Sequence, residues 1–314
     1  MKQVKSHDGF FKATFGDITI AEDFLQNYLP QEIIQMVNLN KLEIVKDSFI
    51  DANFRESFVD LLYRTEIKGK IGYFYFLFEH KSSVDKKIAI QLNKYLMNIW
   101  GACLERGEPI PIVIPIVIYH GQRKWNIGQN LKDMLKGYDQ LPAEIKKYIP
   151  QMQYVLYDLS KLTDEQIKGY EKLRIVLMIL RDIWVTRLKV VKSYCLLFHN
   201  PDAHDRFLWL VITYILYVNP NTSVEEIEEV ANSLRDVYPK GGERIMTLAE
   251  ALRKEGMQKG MQKGRIEGKL EGSLNEKIKI TKRLIKKGFS CEEIVEIADL
   301  SLDEVQKIAR EINS

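Results

Sequence analysis

Cysteine is scarce in this chain of 314 residues: Cys103, Cys195 and Cys291 lie far apart, and no CxxC pair exists. That spacing offers neither a disulfide framework nor a zinc-ligand set, and it fits a reducing compartment. Long apolar runs are missing too. The longest, LWLVITYILYV and IPIVIPIVIY, fall short of the roughly 20 apolar residues that span a bilayer. The opening residues, MKQVKSHDGFFKATFGD, carry no apolar stretch and no small-residue cleavage site. No signal peptide is expected, and the protein is expected in the cytoplasm, away from membranes. Net charge is also small, at +3, but it is unevenly spread. Between positions 253 and 287 twelve Lys and Arg stand against four Asp and Glu, a local +8 that leaves about −5 for the rest. Attraction for nucleic acid is therefore expected to concentrate near the C-terminus.

What is present is ordinary globular material, 46% hydrophobic and 28% charged, and the length suits two or three structural units. Residues 10–28 carry Phe11, Phe15, Ile18, Ala21 and Leu25 at helical spacing and stop before Pro30. The pattern predicts one helix, with Asp8 as its N-cap. KLEIVKDSFID reads as a strand. ESFVDLLYRTEI and IGYFYFLFEHKS read as a β-hairpin turning at Gly69. Residues 85–105 are helical by pattern. PIVIPIVIYHG is strand-like but contains Pro115, which cannot donate to a ladder; an edge strand, or one starting near Ile116, is expected. Up to Ser160 the order is helix, three strands, helix, strand: a mixed α/β domain. Positions 161–253 are helical by pattern, divided by Pro201, Pro220 and Pro239, and hold no chemical motif.

The stretch YFYFLFEHKSS ends an apolar run on a carboxylate, an imidazole and an ammonium. A hairpin turning at Gly69 places Asp60 opposite Phe78 or Glu79. Alternation puts Glu79 and Lys81 on one face, with His80 on the other. Asp60, Glu79 and Lys81 then converge at one end of two neighbouring strands. Half-buried charges of this kind are costly unless paired. They can relieve that cost by pairing with one another as a structural ion-pair cluster, or by holding a divalent cation, which favours hard oxygen ligands.

An Asp on one strand and Glu-x-Lys on the next resemble the active site of the PD-(D/E)XK nucleases, and the element order resembles their core. Gln91 and Tyr95 resemble the QxxxY element of some branches. Val59 stands where the superfamily name has proline. HDGFFKATF, NYLPQEI, FVDLLYR, YFLFEHKSS, IPIVIYHGQRKW and a glycine at every fourth tail position together resemble the Rpn family of recombination-promoting nucleases. The likeness spans nearly the whole chain and is weakest over 161–253. Family members often show Gln at the position of Lys81 and Arg at that of Gln91; Lys81 restores the superfamily's usual catalytic residue. The resemblance implies Mg²⁺-dependent hydrolysis of DNA phosphodiesters, with Mn²⁺ or Ca²⁺ as alternative ions, in recombination or in defence against foreign DNA. It implies Asp60 and Glu79 as metal ligands together with the backbone carbonyl of His80, and Lys81 as the residue that orients water or offsets phosphate charge.

Other residues have simpler readings. His7 and Asp8 read as a helix cap rather than ligands. Gln91 and Tyr95 lie one turn apart and either support the site or pack on the sheet. His120, in Tyr119-His120-Gly121, could line the site, though a turn is the simpler reading. Asp158 has no evident partner. In the tail, Gly256, Gly260, Gly264, Gly268 and Gly272 cost a helix about 5 kcal/mol relative to alanine. Close helix–helix approach could offset that cost; a flexible spacer is the alternative. Ser290 with Glu293 and Ser301 with Glu304 form two capping boxes. They predict a helix-turn-helix-like pair at 291–298 and 302–312, behind a basic helix at 277–287. Asp303 and Glu304 open the second helix and would face phosphates, so oligomerisation or docking suits the pair better than reading DNA. Nonspecific DNA attraction is left to Lys277, Lys279, Lys282, Arg283, Lys286 and Lys287. The expected organisation is a nuclease domain at 1–160, a helical domain at 161–245, a glycine-striped helix at 246–275 and the tail at 276–314. The expected partners are DNA and further copies of the chain. Two functions remain open: a metal-dependent endonuclease, and a non-catalytic oligomeric DNA-binding or interaction protein on a degenerate nuclease fold.

Overall fold

A computed structural model of the protein describes residues 6–45, 60–68 and 73–313. The turn expected at Gly69 and most of KLEIVKDSFID lie outside those residues. Five strands form one mixed sheet: β1 (Glu43–Ile44), β2 (Leu61–Glu66), β3 (Tyr73–Lys81), β4 (Ile112–Tyr119) and β5 (Val155–Asp158), side by side in that order. β1, β2 and β3 pair antiparallel, while β3, β4 and β5 run parallel. A parallel neighbour needs a crossover. Helix α4 (Ile88–Glu105) supplies it between β3 and β4.

The sheet is covered on both faces. On one, α4 presses Leu92, Tyr95, Leu96 and Ile99 against Leu62, Val117 and Tyr119. On the other lie α1 (His7–Phe15) and α2 (Ile18–Tyr28), followed by the short α3 (Gln31–Met36). Phe15, Phe24 and Tyr63 meet Phe78 edge-on, and Phe11 stacks on His80 at 4.9 Å. Each fully buried Phe contributes about 1.5–3 kcal/mol. These rings therefore fix which face of β3 each residue takes: Phe76, Phe78 and His80 inward to α1 and α2, Glu79 and Lys81 to the α4 side.

The helix expected over 10–28 is two helices. The backbone bends at Gly16, where an added Cβ would lie 2.5 Å from the Lys12 carbonyl. Asp17 then caps α2 by accepting from the Thr19 N–H. Asp8 is likewise not the cap of α1; the Ser6 hydroxyl accepts from Gly9. Pro115 also proved compatible with an interior strand. The backbone of β4 alternates its polar groups between neighbours, and His120 donates to Lys81 on β3. Pro115 therefore turns toward the β5 side, and β5 begins pairing only at Ile116. Its missing N–H falls where no partner is waiting.

The short α5 (Ala143–Lys146) lies between β4 and β5, and after the last strand come α6 (Glu171–Asp182), α7 (Val191–Cys195), α8 (Asp205–Val218) and α9 (Val224–Ser233). Leu173, Ile175, Leu177 and Leu180 of α6 and Leu208, Val211 and Ile215 of α8 are buried. Phe10 stacks flat on Tyr214 at 3.9 Å, tying α1 to α8. Asp158, unexplained in the sequence, caps a 3-10 turn through Ser160 and pairs with Lys161 at 3.1 Å.

The chain divides into two compact units, Met1–Met246 and Thr247–Ser314. A single helix, α10, runs Pro239–Lys286, so the basic segment at 277–287 forms the end of a longer helix. In the second unit, α11 (Cys291–Ala298) and α12 (Leu302–Asn313) close around Ile294, Ala298, Leu300, Val305 and Ile308. Ser290 and Glu293 form a reciprocal capping box, and Ser301 and Glu304 exchange the same pair of bonds. The three cysteines are free. Among the described residues no helix is long and apolar enough to cross a membrane.

Candidate nuclease site

The hairpin register follows the second of the two expected alignments. Leu61 faces Phe78, so Asp60, one step beyond β2, comes level with Glu79. Its Oδ2 accepts the His80 N–H at 2.8 Å, which fixes the carboxylate against the end of β3. Lys12 reaches the other oxygen from α1 at 3.2 Å and also pairs with Asp8 at 3.0 Å.

Glu79 is 4% exposed. Its Oε1 accepts from Gln91 at 2.8 Å and lies 3.2 Å from the Lys81 ammonium, while Oε2 is buried without a hydrogen-bond partner among the described residues. Lys81 also donates to Asp85 at 3.1 Å and to Gln91 at 3.0 Å. The Gln91 amide donates in addition to the Tyr95 hydroxyl at 2.6 Å. A helical turn separates Gln91 from Tyr95, so both side chains leave α4 in the same direction, and Tyr95 holds the Gln91 amide that reaches Glu79.

Burial sets the electrostatics. It pushes the Asp60 carboxyl above the usual range, helped by neighbouring Asp8 and opposed by the His80 N–H and by Lys12. It pushes the Glu79 carboxyl up as well, reinforced by the negative charge of Asp60 and opposed by Lys81 and Gln91. For Lys81, burial alone favours the neutral amine, but Glu79 and Asp85 outweigh it and hold the ammonium above its ordinary value. Two buried carboxylates, each raised by burial and Glu79 further by the charge of Asp60, form a site with unmet demand for positive charge.

Among the described residues no group of three or more His, Cys, Asp or Glu is gathered into a metal cage. A divalent oxygen-ligand site does not require one, because water and backbone carbonyls complete the shell. Asp60 and Glu79 fit that donor set: both are hard oxygen ligands, and the orphaned Glu79 Oε2 is a buried acceptor with nothing to bind.

His120 sits apart from these groups. Fully buried, it stacks on His80 at 4.6 Å, holds the Leu180 carbonyl with Nδ1 at 3.1 Å and lies beside His7 and Trp184 on the α1 side of the sheet. Burial lowers its pKa to about 4 and lowers that of His7 as well. The Nδ1 of His7 is 2.6 Å from the Tyr214 hydroxyl. Of the basic residues assigned to DNA, Lys277 is engaged by Asp299 at 2.6 Å, whereas Lys279, Lys282, Arg283, Lys286 and Lys287 are exposed.

Sequence reasoning missed Lys12 and Asp85. Both were signalled weakly, Lys12 one helical turn after Asp8 and Asp85 four residues after Lys81, but their partners emerge only from the packing.

Comparison with known proteins gives this geometry a family. The family described as "Putative transposase, YhgA-like" matches residues 5–207. The recombination-promoting nuclease RpnC of Escherichia coli strain K12 is 30% identical over 305 residues, covering 96% of each chain. RpnA of the same strain, also named a recombination-promoting nuclease, is 26% identical over 95% of each chain. A third relative from that strain, RpnE, named an inactive recombination-promoting nuclease-like protein, is 27% identical over 94% of each. No solved structure matches the chain. A match across most of the length, with the motif residues gathered at one end of β3, places this chain in the Rpn family of recombination-promoting nuclease proteins.

Proposed function

We propose that the chain is a metal-dependent DNA endonuclease built on a PD-(D/E)XK core. The observation that carries this reading is the end of β3, where Asp60, Glu79 and Lys81 converge and a buried Glu79 oxygen lacks a partner. The order of helices, three strands, α4 and β4 supports it, as do the names of the nuclease relatives.

Asp60 and Glu79 would hold Mg²⁺, with the His80 backbone carbonyl as a further ligand. When bound, such an ion supplies Lewis acidity toward the phosphate and lowers the pKa of the attacking water. The residues do the rest. The His80 N–H fixes one Asp60 oxygen and leaves the other to Lys12. Gln91 turns Glu79 so that Oε2 stays unbonded. Lys81, held protonated by Glu79 and Asp85, stands ready to orient water or offset charge growing on the phosphate. Tyr95 anchors Gln91.

Conversion of supercoiled plasmid to nicked or linear DNA in Mg²⁺, Mn²⁺ or Ca²⁺ tests the reading; a pure preparation inert with all three ions contradicts it. A second reading, a non-catalytic DNA-binding or interaction protein, draws on two observations: one matched relative is named inactive, and Lys12 already neutralises part of the Asp60 charge. It predicts DNA binding without divalent-dependent cleavage.

A further inference from the structure

A cavity of about 770 Å³ opens in the first unit, lined by residues that the nuclease site does not use. Its walls come from the end of α1, the start of α2, α6 and α8, and Arg244 of α10. Lys172, Arg206 and Arg244 supply positive charge against the single carboxylate of Asp17. Lys172 is tied to Asp17 at 3.3 Å and Arg244 to Asp205 at 3.2 Å. Arg206 is exposed and makes no ion pair among the described residues. The lining is also aromatic: the Arg244 guanidinium lies over the Trp209 ring at 4.0 Å, beside Phe207.

These features narrow the ligand. Surplus cationic charge selects an anion, and a free guanidinium suits phosphate. The stacked guanidinium and indole offer a planar platform of the kind on which bases stack. The hydroxyls nearby are already committed, Thr14 to the Phe10 carbonyl and Thr213 to the Trp209 carbonyl. A polyol, which needs many neutral partners, is therefore poorly served. The volume falls within the range of ligand pockets. From this we infer that the cavity binds a nucleotide, its phosphate held by Arg206 and its base stacked on the Arg244–Trp209 pair. The nucleotide is either free or the 5′-phosphorylated end of a strand. The binding does not depend on the Asp60–Glu79 chemistry.

Calorimetric titration of the full-length chain in EDTA tests this, with dAMP, inorganic phosphate and a 5′-phosphorylated oligothymidylate as probes. One dAMP should bind per chain, more tightly than phosphate, and equally well in Glu79→Ala. Arg206→Ala, an exposed change that spares the fold, should weaken it at least tenfold; Trp209→Leu should reduce dAMP binding toward that of phosphate. Should only the oligonucleotide bind in an Arg206-dependent way, the strand end is the ligand. The inference is overturned if neither nucleotide probe responds to Arg206→Ala, if phosphate binds as tightly as dAMP, or if Glu79→Ala abolishes binding.

Discussion

Asp60 and Glu79 differ in how firmly the fold holds them. Two partners hold Asp60, and Glu79 keeps one oxygen bare. Asp60→Asn and Glu79→Gln should therefore each abolish divalent-dependent cleavage while the circular dichroism spectrum stays unchanged. Lys81→Met should lower the cleavage rate yet leave Mn²⁺ binding by calorimetry intact; loss of the fold together with the metal would make Lys81 a structural ion-pair partner. His120 gives a separate prediction in pH. Its folded pKa, about 4, lies below the unfolded value near 6.5. The stability from this neutral, buried ring is present above pH ~6.5 and is lost as pH falls through ~4. For a shift of that size the loss is on the order of 3 kcal/mol. Denaturant unfolding across pH 7 to 4 should show it, and His120→Phe should flatten the slope; an unchanged slope contradicts the assignment. The convergence of Asp60, Glu79 and Lys81 was legible because each residue interrupts an apolar pattern at a strand or its end, where alternation fixes its face. Lys12 and Asp85 were not, because an ion-pair partner on another element leaves no mark in local periodicity.

At the level of elements, apolar rhythm revealed the helices and strands, and steric detail decided their breaks. At Gly16, where α1 ends, no side chain fits beside the Lys12 carbonyl, a contact that no hydropathy pattern contains. Pro115 was misread because strand position depends on where β5 starts, which is a property of the neighbour. The glycine stripe poses the reverse problem. Helix α10 continues through Gly256, Gly260, Gly264, Gly268 and Gly272, and a Cβ at each would meet open space. Met257, Met261, Ile266 and Leu274 are exposed along the same stretch. Among the described residues nothing packs against these glycines, whose cost is roughly 5 kcal/mol. Self-association through this helix is therefore proposed. Light scattering should report a smaller particle for a chain cut after Met246, and Gly260→Leu with Gly264→Leu should disrupt assembly although leucine favours helix. An unchanged oligomeric state in both would leave the stripe as a spacer.

For the whole molecule, charge and chemistry lie at different points along the chain: the carboxylates on β2 and β3, the +8 segment on α10. Removal of residues after Met246 should weaken DNA binding at low salt and flatten its salt dependence, because fewer phosphates are neutralised. Fluorescence anisotropy at several salt concentrations reads this directly; an unchanged salt slope would move the DNA contact into the first unit. The carboxylate pair at the end of β3 is proposed to support DNA cleavage. The most direct test compares wild type and Glu79→Ala, purified side by side, on supercoiled plasmid with Mg²⁺ and with EDTA. Wild type should nick in Mg²⁺ alone, and Glu79→Ala should nick under neither condition. Equal nicking by both chains, or nicking that persists in EDTA, would contradict it.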